Sequence, residues 1–392
     1  MSIQYLRTKV KFVAIFIAGF FTVSISPIVK ADWSIMGLTL HGLSSYVYGI
    51  NDSGQVLGEA SADVDASTIY YPFVTGPDGS GMNELSFRAF GINDSGQMWG
   101  AYNDADFNYR AFITGPGGVG MTLLGSLGQN GDSSLVPRDM NNSGQIAGYD
   151  YTADGFQHAV ITGPDGAGVT DLGTLDGSES IAYGINNSGQ VVGMSYIDDR
   201  VHAFVTGQNG NGMTDLGTLG GKSSSAEAIN DVGQVAGTSA VKDNTLHAFF
   251  TNPDGSNMTD LGTLGGYYSE AADINNLGEV IGKASTENNE FHSFLYSHGG
   301  ITDLNMLDVV VAGGWKNLHV VDINNHGQIV GIGTAGDNLQ QAFLLSYTPD
   351  TVFTPEPIFI PPLIPEPQTY LMLLTGLGIL SLTAWRNKKN AV

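Results

Sequence analysis

The chain of 392 residues contains no cysteine. This absence excludes disulfide bonds, thiolate metal sites and cysteine nucleophiles. Apolar residues make up 42% of the sequence. A chain of this length and composition can bury a core that is large enough to fold without covalent cross-links.

Basic residues are scarce, with 15 lysines and arginines against 38 acidic residues. Seven of the basic residues lie in the first 31 or the last seven positions, and no acidic residue precedes Asp32 or follows Glu366. The segment between the two ends therefore carries 8 basic and 38 acidic residues, a formal net charge of −30. Because such a field repels nucleic acid and anionic membranes, we expect no nucleic-acid partner.

Sequence motifs of catalysis are also missing. The chain has no G-x-S-x-G, no H-E-x-x-H and no phosphate-binding loop, and its 54 glycines are typical of many tight turns. We therefore expect neither enzymatic activity nor a cofactor. The alternative is a secreted glycosidase or lyase, which would need unique carboxylates that converge in one cleft.

Residues 1–31 have the three-part pattern of a secretory signal peptide. A basic segment is followed by an apolar run over 12–25, which predicts a signal helix, and Val29 and Ala31 occupy the −3 and −1 positions. We predict cleavage after Ala31 and export across the inner membrane. The alternative is a retained anchor, although the apolar run is shorter than the roughly 20 residues of a spanning helix.

The C-terminal end combines three elements after a proline-rich linker over 348–364. They are the triplet Pro365, Glu366 and Pro367, an apolar run that predicts a short hydrophobic helix, and the basic cluster Arg386, Lys388 and Lys389. Taken alone, the run could be an unprocessed tail anchor. In this order, however, residues 365–389 resemble the PEP-CTERM sorting signal of Gram-negative bacteria. The resemblance implies processing by an exosortase, transient insertion into the inner membrane, delivery to the surface or the extracellular space, and a link to exopolysaccharide and biofilm.

One heptapeptide recurs seven times between the two ends. Its copies are GINDSGQ at 49 and at 91, DMNNSGQ at 139, GINNSGQ at 184, AINDVGQ at 228, DINNLGE at 273 and DINNHGQ at 322. Successive copies are 42, 48, 45, 44, 45 and 49 residues apart. Segments of the types HAFVTGPDG and MTDLGTLGG recur between them, so the residues 32–347 divide into seven units of roughly 45 residues.

Each unit consists of about four short apolar segments separated by Asn, Asp, Gly and Pro, which are turn residues. Known propeller repeats of about 40 to 50 residues form one blade of four strands, so each unit has the length of a blade. The sequence therefore predicts an all-β protein with a seven-bladed β-propeller. If each unit begins with the Met-Thr-Asp-Leu strand, the seven units close without leftover strands. The alternative is a β-solenoid, whose coils are usually shorter and more uniform in length.

The recurrent His-Ala-Phe, Thr-Asp-Leu-Gly-Thr-Leu-Gly-Gly and Ile-Asn-Asn-Ser-Gly-Gln segments resemble the HAF family of bacterial extracellular repeats. The first unit departs from this pattern with Pro72 in place of Ala, and the last with Gln341 in place of His. The resemblance implies an extracellular location and a repeat shape, but no chemistry. We therefore predict an exported surface or matrix protein whose repeats form a non-enzymatic binding or structural module for exopolysaccharide or surface proteins.

Two repeated positions carry groups that could perform chemistry. One holds the histidines His158, His202, His247 and His292, and the other holds the aspartates Asp171, Asp215, Asp260 and Asp303. Equivalent points on successive blades can meet around one metal only beside the axis. Repeated residues are usually structural, so we expect hydrogen-bonding roles here and no metal site. The Asn-Asp-Ser-Gly loops lack the ligand spacing of a calcium loop, and turn formation explains their composition.

Overall fold

The computed structural model describes residues 32–347, apart from position 41 and the segments 65–66, 128–134 and 337–338. The predicted signal helix, the cleavage site at Ala31, the linker, the sorting signal and the C-terminal helix lie outside the described residues. Within the described part of the chain, no helix has the length and apolar character needed to cross a membrane.

Seven four-stranded antiparallel sheets form the blades of a propeller. We number the blades 1 to 7 in chain order. The first strand, β1 (Trp33–Leu38), belongs to the last of them, blade 7. Blade 1 contains β2 (Ser44–Ile50), β3 (Val56–Val64), β4 (Ser67–Thr75) and β5 (Met82–Glu84). Blade 2 contains β6 (Gly91–Ile92), β7 (Met98–Asn103), β8 (Tyr109–Ile113) and β9 (Thr122–Leu123). Blade 3 contains β10 (Val136–Met140), β11 (Ile146–Tyr151), β12 (Gln157–Ile161) and β13 (Thr170–Asp171). Blade 4 contains β14 (Ser180–Ile185), β15 (Val191–Ile197), β16 (Arg200–Thr206) and β17 (Met213–Gly217).

The remaining blades follow the same order. Blade 5 contains β18 (Gly220–Ile229), β19 (Val235–Val241), β20 (Leu246–Phe250) and β21 (Thr259–Asp260). Blade 6 contains β22 (Gly265–Ile274), β23 (Val280–Thr286), β24 (Phe291–Ser297) and β25 (Gly300–Asp303). Blade 7 adds β26 (Lys316–Ile323), β27 (Ile329–Thr334) and β28 (Gln340–Tyr347), preceded by a short helix α1 (Asp308–Ala312). The predicted seven-bladed propeller is confirmed, and the solenoid alternative is wrong.

The strand β1 lies at the outer edge of the last blade, not of the first. It pairs antiparallel with β28, from Trp33 opposite Tyr347 to Leu38 opposite Ala342. The rings of Trp33 and Tyr347 are in contact, with centroids 4.7 Å apart. The expected start of each unit is therefore shifted by one strand. The Met-Thr-Asp-Leu segment forms the outermost strand of a blade, and its N-terminal copy closes the ring of blades.

Each blade has glycine at the same point of its second strand. The seven are Gly58, Gly100, Gly148, Gly193, Gly237, Gly282 and Gly331. A Cβ at any of them would lie 2.0 to 2.4 Å from a backbone oxygen of the first strand, so only glycine allows the two strands this approach. The phenylalanine of the His-Ala-Phe segment packs beside it, and Phe112, Phe204 and Phe249 are buried in the core.

Neighbouring blades are also joined by buried serines on first strands. Ser180 Oγ accepts a hydrogen bond from the Ala159 N–H (2.8 Å) and donates one to the Gly173 carbonyl (2.6 Å), so it connects blade 4 to blade 3. Ser224 and Ser269 make the same pair of bonds between the following blades. The serine therefore provides a partner for polar backbone groups that the packing of two blades encloses.

Candidate functional site at the propeller axis

The Asn residues of the seven heptapeptides meet around the axis, where the first strand of each blade ends. This inner asparagine ring consists of Asn51, Asn93, Asn141, Asn186, Asn230, Asn275 and Asn324. Each Nδ2 donates to the backbone oxygen of the equivalent Asn in the next blade, at 2.9 to 3.2 Å. The bond from Asn324 to Asn51 closes the circle at 3.0 Å. A side-chain contact therefore links each blade to the next at the axis.

Asn186 shows why this position requires asparagine. Its Oδ1 accepts from the N–H groups of Ser188 and Gln190, both at 3.0 Å, and this shapes the turn. Its Nδ2 donates to Gln190 Oε1 at 2.9 Å and to the Asn230 oxygen at 3.0 Å. The side chain is only 3% exposed, and it makes the four hydrogen bonds that an amide group can make.

A second circle lies one residue further along each loop. This outer Asp/Asn ring consists of Asp52, Asp94, Asn142, Asn187, Asp231, Asn276 and Asn325. The backbone N–H of each member donates to Oδ1 of the next, at 2.7 to 3.0 Å. Each aspartate of the ring also accepts an amide hydrogen bond from an asparagine side chain. The exposed carboxylates at this mouth are thus held in fixed positions by hydrogen bonds.

Three further carboxyl groups line the space along the axis, which we call the tunnel. In the sequence each lies two residues before an asparagine of the inner ring. Asp139, Asp273 and Asp322 occupy a position at which the other repeats have glycine or alanine. Each accepts a hydrogen bond from the backbone of a following blade. Their donors are the N–H groups of Ile185 at 2.9 Å, Ile323 at 3.0 Å and Ile50 at 2.8 Å, respectively. The carboxylates therefore have a structural use in the described fold.

The tunnel disfavours the charged form of these acids. Burial raises the pKa of Asp139 to about 6, and the negative charge of Asp322 adds to that shift while two backbone N–H groups oppose it. Burial likewise raises the pKa of Asp273 and of Asp322, and the two carboxyl groups also interact with each other. Two neighbouring buried carboxyl groups cannot both ionise easily, so the pair holds a proton to higher pH than isolated aspartates do.

The two rings and the three carboxyl groups enclose a cavity of about 190 Å³. This volume holds roughly six water molecules and is below the ~300 Å³ at which pockets for drug-sized ligands begin. Among the residues that the structure describes, no three His, Asp or Glu side chains are arranged to bind a metal ion. The space at the axis is therefore that of a small polar pocket lined by amide and carboxyl groups.

The histidines identified in the sequence lie away from the axis, on the third strands of blades 3 to 6. Each places Nδ1 beside the repeated aspartate of the same blade: His158–Asp171, His202–Asp215 and His247–Asp260 at 2.9 Å, and His292–Asp303 at 2.7 Å. The four pairs are on four separate sheets, so the structure does not bring the histidines together. Their predicted hydrogen-bonding role is confirmed.

Sequence reasoning explained the Asn-Asp-Ser-Gly loops as turns, and Gly54 and its equivalents do have positive φ. It missed that the same loops form two closed circles. It also missed the three tunnel aspartates, although a signal was available. In the copies that begin with Asp139, Asp273 and Asp322, an ionisable residue stands where the other four copies have glycine or alanine.

Known structures support the fold. The chain matches no protein-family profile and no curated protein. It is similar to the β-propeller domain of the Trilobed protease from Pyrococcus furiosus, with a TM-score of 0.54 and 9% identity over 77% of this chain and 95% of that one. The Pyrococcus horikoshii acylaminoacyl peptidase has a TM-score of 0.52 and 10% identity over 78% of this chain. A puromycin hydrolase has the same TM-score and 13% identity over 78% of this chain.

The chain spans about half the length of those two enzymes, 52% in each case. At such low identity the similarity shows the propeller fold and no activity. The Trilobed protease domain has an open velcro topology. In the present chain, by contrast, β1 pairs with β28.

Proposed function

We propose that the propeller is a non-enzymatic binding module of an exported, exosortase-sorted surface or matrix protein, and that it binds the exopolysaccharide around the producing cell. One observation carries the binding role. Aromatic side chains project into solvent from the hairpins of three consecutive blades, at the ends of the strands opposite the asparagine rings. This aromatic hairpin patch consists of Tyr70, Tyr102, Phe107, Tyr109, Tyr151 and Phe156, which are 37% to 89% exposed.

Large exposed apolar side chains that lie on neighbouring hairpins of adjacent blades mark a candidate interaction surface. Phe107 is 89% exposed at positive φ in the β7–β8 turn, where its ring adds nothing to the core. Tyrosine and phenylalanine rings offer flat apolar faces, and tyrosine adds a hydroxyl group. Both features suit the alternating apolar and hydroxyl faces of a sugar chain.

The non-enzymatic part of the proposal rests on the tunnel. Its carboxyl groups accept backbone hydrogen bonds that join blades, which gives them a structural role, and its volume of about 190 Å³ is small for a polysaccharide substrate. Export and sorting rest on the sequence patterns at residues 1–31 and 365–389.

The test uses the native host with and without its exosortase. We expect a mature species that lacks residues 1–31 and the apolar tail, found outside the inner membrane only when the exosortase is present. That species, purified, should sediment with the host's own exopolysaccharide. A full-length protein held in the inner membrane of both strains would refute the sorting proposal, and absence of cosedimentation would refute the binding proposal.

A glycosidase or lyase acting on the matrix is the second candidate. It is favoured by Asp139, Asp273 and Asp322, which lie along one axis and are absent from the other four copies of the heptapeptide, and whose pKa values are raised, as an acid catalyst needs. Incubation of the mature protein with host polysaccharide should release reducing ends if this candidate is correct. Loss of that release in Asp139→Ala would establish it, whereas no release from the native protein would refute it.

A further inference from the structure

The first strand of a blade contains a β-bulge three residues before the inner asparagine ring. In blade 3, for example, Pro137 pairs with Gly148 and Asp139 pairs with Ala147, so Arg138 has no partner of its own. The same shift occurs in blades 1, 4, 5, 6 and 7. A bulge turns the side chain of the extra residue out of the regular alternation of the strand.

The bulge ring is the set of residues at this position: Tyr48, Phe90, Arg138, Tyr183, Glu227, Ala272 and Val321. Phe90 occupies the corresponding position in blade 2. The bulge ring differs from the inner asparagine ring in the variety of its residue types, which bears on function. The asparagine is the same in all seven repeats, but the bulge residue is aromatic in three, charged in two and aliphatic in two. A constant scaffold therefore presents a varied set of side chains.

The members from adjacent blades are near each other. The Tyr48 and Phe90 rings pack edge to face with centroids 5.2 Å apart. The Arg138 guanidinium lies 5.9 Å from the Tyr183 ring centroid. The charge of Arg138 also lowers the pKa of Glu227, although burial raises that pKa overall. Bulge residues of adjacent blades therefore lie near each other in blades 1 and 2 and in blades 3 to 5.

Arg138 is the distinctive group on this surface. Its side chain is exposed, and it lies between two tyrosine rings, with Tyr149 at 5.6 Å and Tyr183 at 5.9 Å. Among the described residues, no carboxylate forms an ion pair with it, whereas Arg88 pairs with Glu59 at 2.7 Å and Arg110 with Asp104 at 2.9 Å. The overall charge of the domain repels anions, but the guanidinium group of Arg138 is a local positive charge that no carboxylate of the described residues neutralises by an ion pair, so an external anion can bind there.

The surroundings of Arg138 join the aromatic hairpin patch. Tyr149 contacts Tyr151 of the patch with ring centroids 6.2 Å apart. On the blade 1 side, the Arg88 guanidinium stands 4.4 Å from the ring centroid of Tyr70, another member. A ligand that lies on the patch can therefore extend to the bulge ring without leaving aromatic surface.

We propose that Arg138, between Tyr149 and Tyr183, binds the carboxylate of an acidic sugar unit whose polysaccharide chain lies along the aromatic hairpin patch. The inference rests on the proposed binding function and names its site and ligand class. The planar guanidinium suits a carboxylate through two parallel hydrogen bonds. The flanking rings suit the apolar face of the sugar.

The test is isothermal titration calorimetry of the mature protein with oligogalacturonate, and with neutral oligogalactose of the same length. We expect binding of the acidic oligosaccharide that weakens with added salt, and at least tenfold weaker binding in Arg138→Gln. Arg200→Gln is the matched control, because Arg200 is also exposed but lies in the β15–β16 hairpin of blade 4. Tyr183→Leu should also weaken binding without altering the salt dependence.

Three outcomes distinguish an error in the proposed site or ligand from a failure of the proposed binding function. If the native protein binds host polysaccharide but Arg138→Gln binds it equally well, the site is wrong and the binding function stands. If both oligosaccharides bind with the same affinity, the ligand class is wrong. If the native protein binds neither the host polysaccharide nor oligogalacturonate, the binding function fails as well. Unchanged urea midpoints for the variants would exclude unfolding as the cause of any loss.

Discussion

Asn186→Ala removes one member of the inner asparagine ring, and its cost can be worked out from the structure. The substitution eliminates four hydrogen bonds of 2.9 to 3.0 Å, made by a side chain that is 3% exposed. At about 1 kcal/mol net for each bond, the loss would be about 4 kcal/mol. Water from the tunnel can replace part of it, so we expect a fall of about 3 kcal/mol in the free energy of unfolding.

Asn187→Ala is the control, because Asn187 belongs to the outer Asp/Asn ring and is exposed. Its side chain also makes hydrogen bonds to neighbouring blades, to Asp231 and from Asn142, but in contact with solvent. We expect a loss below about 1 kcal/mol. Urea unfolding followed by tryptophan fluorescence measures both values. For a domain of about 300 residues, 3 kcal/mol also lowers Tm by about 5 °C. Equal losses in the two variants would refute the reasoning, since burial would then make no difference.

Three other predictions concern the scaffold. Gly193→Ala should abolish or severely destabilise folding, because the added Cβ would lie 2.0 Å from the Ile181 oxygen; Gly336→Ala, with no atom within 4 Å, should leave the urea midpoint unchanged. Deletion of residues 33–38 should expose the edge of β28 and cause aggregation detectable by light scattering, and a peptide with that sequence added in trans should reduce it. The raised pKa of Asp139, about 6 against an ordinary 3.8, means that the folded state binds the proton more tightly than the unfolded state. The contribution of Asp139 to stability is therefore largest below pH 3.8 and declines as pH rises through about 6. Lowering the pH from 7.5 to 5 should raise the free energy of unfolding by about 1–3 kcal/mol less in Asp139→Ala than in the native protein, as measured by urea unfolding. An unchanged pH profile would show that the carboxyl group is solvated like a free one.

The number of blades and the strands of each blade could be predicted from the sequence because the repeat fixes both. Turn residues separate the apolar segments, a glycine marks the second strand of every copy, and a phenylalanine marks the core of six of the seven copies. The order in which strands form a blade could not be predicted in this way. A circular repeat has the same sequence pattern wherever the first unit is taken to begin. The structure shows it, because Trp33 pairs with Tyr347 and so places the N-terminal strand at the outer edge of the last blade.

The candidate site was predicted less well for a similar reason. The heptapeptide shows a tight turn at Asn186, but the partner that uses its second amide hydrogen is the Asn230 backbone, 44 positions away. Closure of the ring depends on the angle between blades, which no local pattern encodes. Arg138 cannot be identified as a site residue from the sequence, because the residue type at its position differs from repeat to repeat. The β-bulge that turns its side chain out of the regular alternation is a property of strand pairing.

The pairing of β1 with β28 also affects the order of events when the chain is made and folds. Blades 1 to 6 each consist of consecutive segments, so each can form as soon as its own strands have emerged. The last blade cannot form in this way, because the first strand to emerge must wait for the last. Bringing together two strands about 300 residues apart in an unstructured chain would cost about 5 kcal/mol of loop entropy. Assembly of the six intervening blades removes most of that cost, since it brings Trp33 and Tyr347 to the same gap. Completion of the ring is therefore a late step that depends on the whole domain, and a chain truncated before residue 340 would remain open.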